Sequence, residues 1–107
     1  MATYPDLDVI IATRDRYELL LATLAGIESQ DYPGKIRTFV VYDNFEPRSD
    51  VRLDSARRPV VVTTNVRTPG LPGSRNSGLR LATAPFVAFC DDDDVWLPTK
   101  ARKQVDL

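Results

Sequence analysis

A chain of 107 residues, 43% hydrophobic and 27% charged, carries one ordinary globular domain (residues 1–107), large enough for a single core but not for two. Its net charge of −1 excludes the overall basic field that gathers nucleic acid or anionic membrane. The absence of histidine removes imidazole catalysis and His-based zinc sites, and a single cysteine, Cys90, rules out a disulfide within the chain.

The opening "MATYPDLD" lacks a basic region followed by a long apolar run, and no apolar stretch approaches the ~20 residues that cross a bilayer, so the expected location is cytoplasmic. Leu7 to Thr13, "LDVIIAT", is a β-branched run of the kind buried on both faces of a parallel sheet. From Tyr17, apolar residues recur three and four apart at Leu20, Leu21, Leu24 and Ile27, which predicts an amphipathic helix that ends at the breaker "QDYPGK". "IRTFVVYD" at Ile36 to Asp43 and "PVVVTT" at Pro59 to Thr64 are two more strand segments, separated by an arginine-rich stretch with room for a short helix. A Pro/Gly loop then gives way to a helix for which Ser74 is the predicted cap. Pro85 ends that helix, "FVAFC" at Phe86 to Cys90 is a fourth strand, and Pro98 suits the first turn of a closing helix.

Strand and helix alternate four times, which predicts an α/β fold: an open, mostly parallel sheet with helices on both faces, Rossmann-like in character. Such sheets bind ligands at the carboxyl ends of their strands. Three polar clusters fall there: "TRDR" after the first strand, "YDN" after the second and "DDDD" after the fourth.

The run Asp91 to Asp94 has two readings. Adjacent carboxylates about 5 Å apart repel by roughly 3 kcal/mol per pair at an effective dielectric near 20, and by under ~1 kcal/mol in water. On a solvated turn the run is cheap and needs no partner. In a crevice the repulsion grows, and Mg²⁺ or Mn²⁺, which prefers a few carboxylates with waters and phosphate oxygens, becomes the natural remedy. Cys90, inside an apolar run, reads as a buried structural thiol.

Taken together, "VIIATRDR", "SQDYPG", "VVYDN" and "PGSRNSGLRLATAPFVAFCDDDDVWLPTK" resemble the nucleotide-binding half of an inverting family 2 glycosyltransferase with the GT-A fold, in the same order and spacing. The resemblance implies that Ala12, Thr13, Arg14 and Asp15 wrap the nucleobase and ribose of a nucleotide-sugar donor, most simply a UDP-sugar. Arg14 stands where the family more often has an aromatic residue. Asp43 matches the acidic residue that accepts a hydrogen bond from the base edge; its other reading is a turn residue bonding its own backbone. Arg75 and Asn76 match the helix start beneath the nucleotide, where Arg75 faces either the diphosphate or the aspartates. By the D-x-D pattern Asp93 is the main metal ligand with Asp91 at the other end, Asp91 or Asp92 lies nearer the ribose, and Asp94 supports the turn. Trp96 packs the closing turn or touches sugar.

The same resemblance implies a divalent cofactor, Mn²⁺ or Mg²⁺, and a general base supplied by sequence beyond Leu107, so the isolated chain is expected to bind donor without transferring sugar. Apolar surface meant for the missing half is expected to promote self-association. Three other classes compete. A sugar-nucleotide nucleotidyltransferase would begin with a glycine-rich, lysine-bearing loop where this chain has "ATRDR". A phosphoacceptor receiver domain needs aspartates after earlier strands, and a non-enzymatic α/β interaction domain predicts no metal-dependent nucleotide binding.

Overall fold

The computed structural model describes residues 4–14, 16–48 and 55–105. Seven elements follow one another: β1 (Leu7–Thr13), α1 (Tyr17–Glu28), β2 (Ile36–Tyr42), β3 (Val60–Thr64), α2 (Leu71–Leu81), β4 (Phe86–Asp91) and α3 (Lys100–Val105). All strand pairs are parallel, in the order β3-β2-β1-β4, with β1 at the centre. The chain thus winds outward from β1 to β3 and returns to the far side of β1, which puts the topological switch between β1 and β4.

Alternation of side chains along each strand divides the core. Leu7, Val9 and Ile11 of β1 and Ile36 and Val40 of β2 face Leu20, Leu24 and Ile27 of α1, the helical stripe read from the sequence. Trp96 and Ala101 close this layer. Ile10, Phe39 and Val41 form the opposite layer under α2. There a Cβ on Gly78 would meet Ile10 Cγ2 at 2.5 Å, so the glycine lets α2 lie directly on the central strand. Helices therefore cover both faces, as the alternation predicts.

Two local readings change. α2 begins at Leu71, three residues before the predicted cap, because Gly70 turns the chain at φ 113° and Pro72 fits the first helical turn, where its missing N–H costs nothing. Ser74 consequently lies inside the helix, fully buried, with its N–H bonded to Gly70 O at 3.0 Å. In the arginine-rich stretch, 44–48 and 55–58 are not helical, and 49–54 lie outside the described residues. Strand ends shift by one residue: β2 stops at Tyr42, β3 starts at Val60 and β4 continues through Asp91.

The "QDYPGK" breaker does more than end α1. Gln30 donates to Gly26 O and Leu97 O and accepts from the Ala101 N–H at 2.9 Å, tying the end of α1 to the segment after the aspartates. Arg58, buried, donates to the carbonyls of Gln30, Tyr32, Gly34 and Arg57, and burial, the largest influence, lowers its pKa. These bonds satisfy loop carbonyls that would otherwise be buried without partners.

Candidate functional site

The strand register fixes the site. Thr13 pairs with Tyr42 and Ala12 with Asp91, so β1, β2 and β4 end level, and the residues that follow share one edge: Arg14, Asp43 and Asp92. A depression of about 290 Å³ opens there, lined by Ala12, Thr13, Arg14, Arg16, Asp43, Leu71, Ser74 and Asp92. A second, of about 320 Å³, shares Thr13, Arg14 and Arg16 and runs out to Tyr17, Phe45 and Arg48.

Asp43 is, with Asp92, one of two buried carboxylates of this edge among the described residues. Its oxygens accept the Asn65 side-chain amide at 3.0 Å and the Gly70 N–H at 3.0–3.1 Å. The Asn65 bond first and the Gly70 bond second outweigh burial and hold Asp43 below its ordinary value. The side chain therefore stays an acceptor at neutral pH, pinned to the entry of α2. Ser74 Oγ lies buried beside it in the same depression, and its hydroxyl adds to the interactions that keep Asp43 low.

The four aspartates do not act alike. Asp92 turns inward: Thr13 Oγ donates to its Oδ2 at 2.8 Å, and Arg16 Nη1 stands 3.5 Å from its Oδ1. Asp91, Asp93 and Asp94 turn outward, with carboxylate oxygens within 4.8 Å of one another. Asp94 also supports the turn, its Oδ2 accepting the Asp91 N–H at 3.0 Å. Thr23, a hydroxyl on the buried stripe of α1, lies 3.0 Å from the carbonyl oxygens of both Asp92 and Asp94 and anchors the turn from below. Three hard oxygen donors on a held turn, with no nitrogen or sulfur among them, suit Mg²⁺ or Mn²⁺.

Of the residues expected at the site, Ala12, Thr13, Arg14, Asp43 and Asp92 line the main depression and Asp91 and Asp93 stand at the adjacent turn. Asp15 lies outside the described residues. Arg75 instead sits over the Phe89 ring, 5.1 Å from its centroid, and Asn76 lines a separate surface depression with Arg67 and Arg80. Trp96 is buried in the core, which leaves packing as its role. Cys90 is likewise buried, its thiol pushed up to about 12 mainly by burial, which makes it inert as a nucleophile at neutral pH.

Sequence reading passed over Thr23 and Asn65, met Arg16 only as part of the "TRDR" cluster, and took Ser74 only as a helix cap. Thr23 had a signal, a polar residue in line with Leu20, Leu24 and Ile27. Arg16, Asn65 and Ser74 acquire their place only from tertiary contacts.

Fold and site define a parallel α/β domain with a ligand depression and an acidic turn at the carboxyl edge of its sheet. The sequence profile of Glycosyl transferase family 2 matches residues 8–107, and the chain belongs to that family. It is 28% identical over 98 residues (91% of this chain, 39% of the other) to the Escherichia coli UDP-Glc:alpha-D-GlcNAc-diphosphoundecaprenol beta-1,3-glucosyltransferase WfaP. It is 32% identical over 95 residues (84% and 30%) to the Campylobacter jejuni GalNAc(5)-diNAcBac-PP-undecaprenol beta-1,3-glucosyltransferase.

Among solved structures, Staphylococcus aureus TarS superposes with a TM-score of 0.78 at 24% identity, over 94% of this chain and 19% of TarS. The mannosyltransferase PcManGT from Pyrobaculum calidifontis, in complex with GDP-Man and Mn²⁺, superposes at 0.75 and 24% identity, over 92% and 30%. The chain spans between 22% and 39% of the length of the curated relatives it matches. No helix among the described residues is long and apolar enough to cross a membrane.

Proposed function

We propose that this chain is the donor-binding part of an inverting glycosyltransferase and that it binds a UDP-sugar with Mn²⁺ or Mg²⁺. One observation carries the reading: a depression holding a buried, ionised acceptor, Asp43, adjoins an outward-facing carboxylate turn along a single sheet edge. Support comes from the TarS fragment 1–349, which shares the fold and has been solved with UDP and with UDP-GlcNAc, and from the Mn²⁺ complex of PcManGT. The E. coli relatives are named for UDP-Glc, which makes UDP-glucose the first donor to test.

In this reading Asp43 accepts the imide N–H of the base, and Ala12, Thr13 and Arg14, with Asp15 beyond the described residues, enclose base and ribose. Asp92, oriented by Thr13, takes the ribose side. Asp93 is the principal metal ligand and Asp91 the second, with Asp94 near enough to share the role. A divalent ion held there supplies positive charge for a departing diphosphate. Arg75 and Asn76 remain proposed for the nucleotide side on the strength of the family pattern. The acceptor half and its general base are assigned to sequence beyond this chain, so the isolated domain binds without turnover. Its open β4 edge, with Phe86, Val87 and Phe89 exposed, supports the proposed self-association, which sedimentation at rising concentration measures.

The test is calorimetric titration of UDP and UDP-glucose into the chain with Mn²⁺, with EDTA, and in Asp93→Asn. Binding that needs Mn²⁺ and is lost in the variant supports the site. Equal binding with EDTA would remove the metal from the reading.

A further inference from the structure

We propose that Arg16 is a resident counter-cation of the aspartate turn: it occupies Asp93 in the ligand-free domain, yields to the divalent ion, and then serves the diphosphate. This deepens the metal-dependent donor site proposed above and rests on it.

The observations concern Arg16 itself. Its Nη1 lies 3.1 Å from Asp93 Oδ2 and 3.5 Å from Asp92 Oδ1, so one guanidinium nitrogen bridges the inward and outward aspartates. Arg16 is also the N-cap residue of α1, and its side chain makes no capping bond. A cation at that end of a helix opposes the macrodipole, so helix electrostatics do not hold it there. Attraction to the carboxylates does. Arg16 further lines both depressions of the site, so a guanidinium released from Asp93 remains within the space a ligand would fill.

Competition follows from charge. An ion bound through Asp93 removes the negative charge that holds Arg16 and adds positive charge beside it, and the two cannot both be optimal on Asp93. Both side chains are about half exposed, 54% for Arg16 and 47% for Asp93, so the pair is weak enough to exchange. A diphosphate in the depression restores a partner, and arginine, planar and permanently charged, suits phosphate oxygens. Arg16 is thus a positioning residue that links metal entry to phosphate binding.

The experiment titrates Mn²⁺ alone into the wild-type chain, Arg16→Ala and Arg16→Lys, following free Mn²⁺ by electron paramagnetic resonance, and then titrates UDP at saturating Mn²⁺. Arg16→Ala is expected to bind Mn²⁺ about twofold to fivefold more tightly than wild type, as the loss of an exposed ion pair predicts. The gap should close as salt rises from about 0.01 M to about 1 M. Arg16→Lys should stay close to wild type, and UDP should bind several-fold more weakly to Arg16→Ala. Equal or weaker Mn²⁺ binding by Arg16→Ala overturns the competition, and unchanged UDP affinity overturns the phosphate role. Absence of Mn²⁺ binding in all three proteins defeats the metal reading itself, an outcome distinct from the other two.

Discussion

The two ends of the sheet use the same pair of residue types to opposite effect. At the amino end, Asp8 is 2% exposed and accepts Arg37 Nε and Nη2 at 3.1 Å, the Thr83 N–H at 2.8 Å and the Ala84 N–H at 2.9 Å. Arg37 also donates to Thr83 Oγ, so β1, β2 and the turn before β4 close on one another. At the carboxyl end, Arg16 and Asp93 meet through one exposed contact, beside carboxylates that lack comparable partners among the described residues. A carboxylate with its bonds filled from inside the chain builds the fold. One left facing outward keeps its capacity for a ligand.

The largest effect should come from breaking the closed end. Asp8→Ala leaves the Arg37 guanidinium and two N–H groups without their acceptor, and is expected to cost about 3 kcal/mol or more in urea unfolding. Arg16→Ala at the open end should change stability by under about 0.5 kcal/mol. Comparable losses from the two variants would erase the distinction.

Proton binding sharpens the same contrast. Burial pushes Asp8 upward, but the bonds from Arg37, Ala84 and Thr83 and the charge of Arg37 outweigh it, leaving the carboxyl below its ordinary 3.8. A depressed folded value means that the unfolded chain binds the proton first as pH falls. The stabilisation is fully present above 3.8 and is lost as pH drops through the lower folded value. The stability gap between wild type and Asp8→Asn should therefore be constant near neutrality and narrow only in that acid range. A gap that closes near pH 6 would contradict the clasp.

Asp43 belongs to the carboxyl end yet shares the buried, depressed character of Asp8, which makes it the test of whether the division is one of position or of bonding. Asp43→Asn removes an ionised acceptor, and a hydrogen bond to a charged group is worth roughly 1.5–3 kcal/mol, so UDP affinity is expected to fall by at least about tenfold. If the variant instead unfolds the chain while leaving the nucleotide affinity of its folded fraction intact, Asp43 is part of the scaffold alone.

How much of this was legible depends on the range of the physics involved. β-branched runs and the stripe at Leu20, Leu24 and Ile27 are local patterns, and they placed the strands and α1 within a residue or so. The level ends of β1, β2 and β4 follow from alternation, which alone places Asp43 and the aspartate run on one edge. The start of α2 was missed because Ser74 satisfies a capping rule that Gly70 and Pro72 satisfy with better backbone geometry. The split of the aspartates was legible only through the family resemblance, which set Asp94 at the turn and Asp91 or Asp92 toward the ribose; the residues' own pattern did not show it. Identical side chains at consecutive positions differ in their partners: Thr13 and Arg16 for Asp92, Arg16 for Asp93, and the Asp91 N–H for Asp94, with the outward oxygens of Asp91, Asp93 and Asp94 gathered within 4.8 Å.

The smallest expected effect concerns the support of that split. Thr23 shares its one hydroxyl proton among the carbonyl oxygens of Asp92 and Asp94, both at 3.0 Å, and that of Leu19 in its own helix at 3.1 Å, while its methyl group lies within the buried face of α1. Thr23→Val keeps the shape and removes the hydroxyl, so the unmade bond costs about 1 kcal/mol, with the carbonyls of Asp92 and Asp94 losing their common donor. The carboxylates themselves are untouched. If the turn must be held for Asp91, Asp93 and Asp94 to converge, Mn²⁺ affinity should weaken by about twofold to tenfold while the fold survives. Loss of stability with unchanged Mn²⁺ affinity would instead mean that the three outward carboxylates gather around the ion without help from α1, and the open end would then be an adaptable turn rather than one held from beneath.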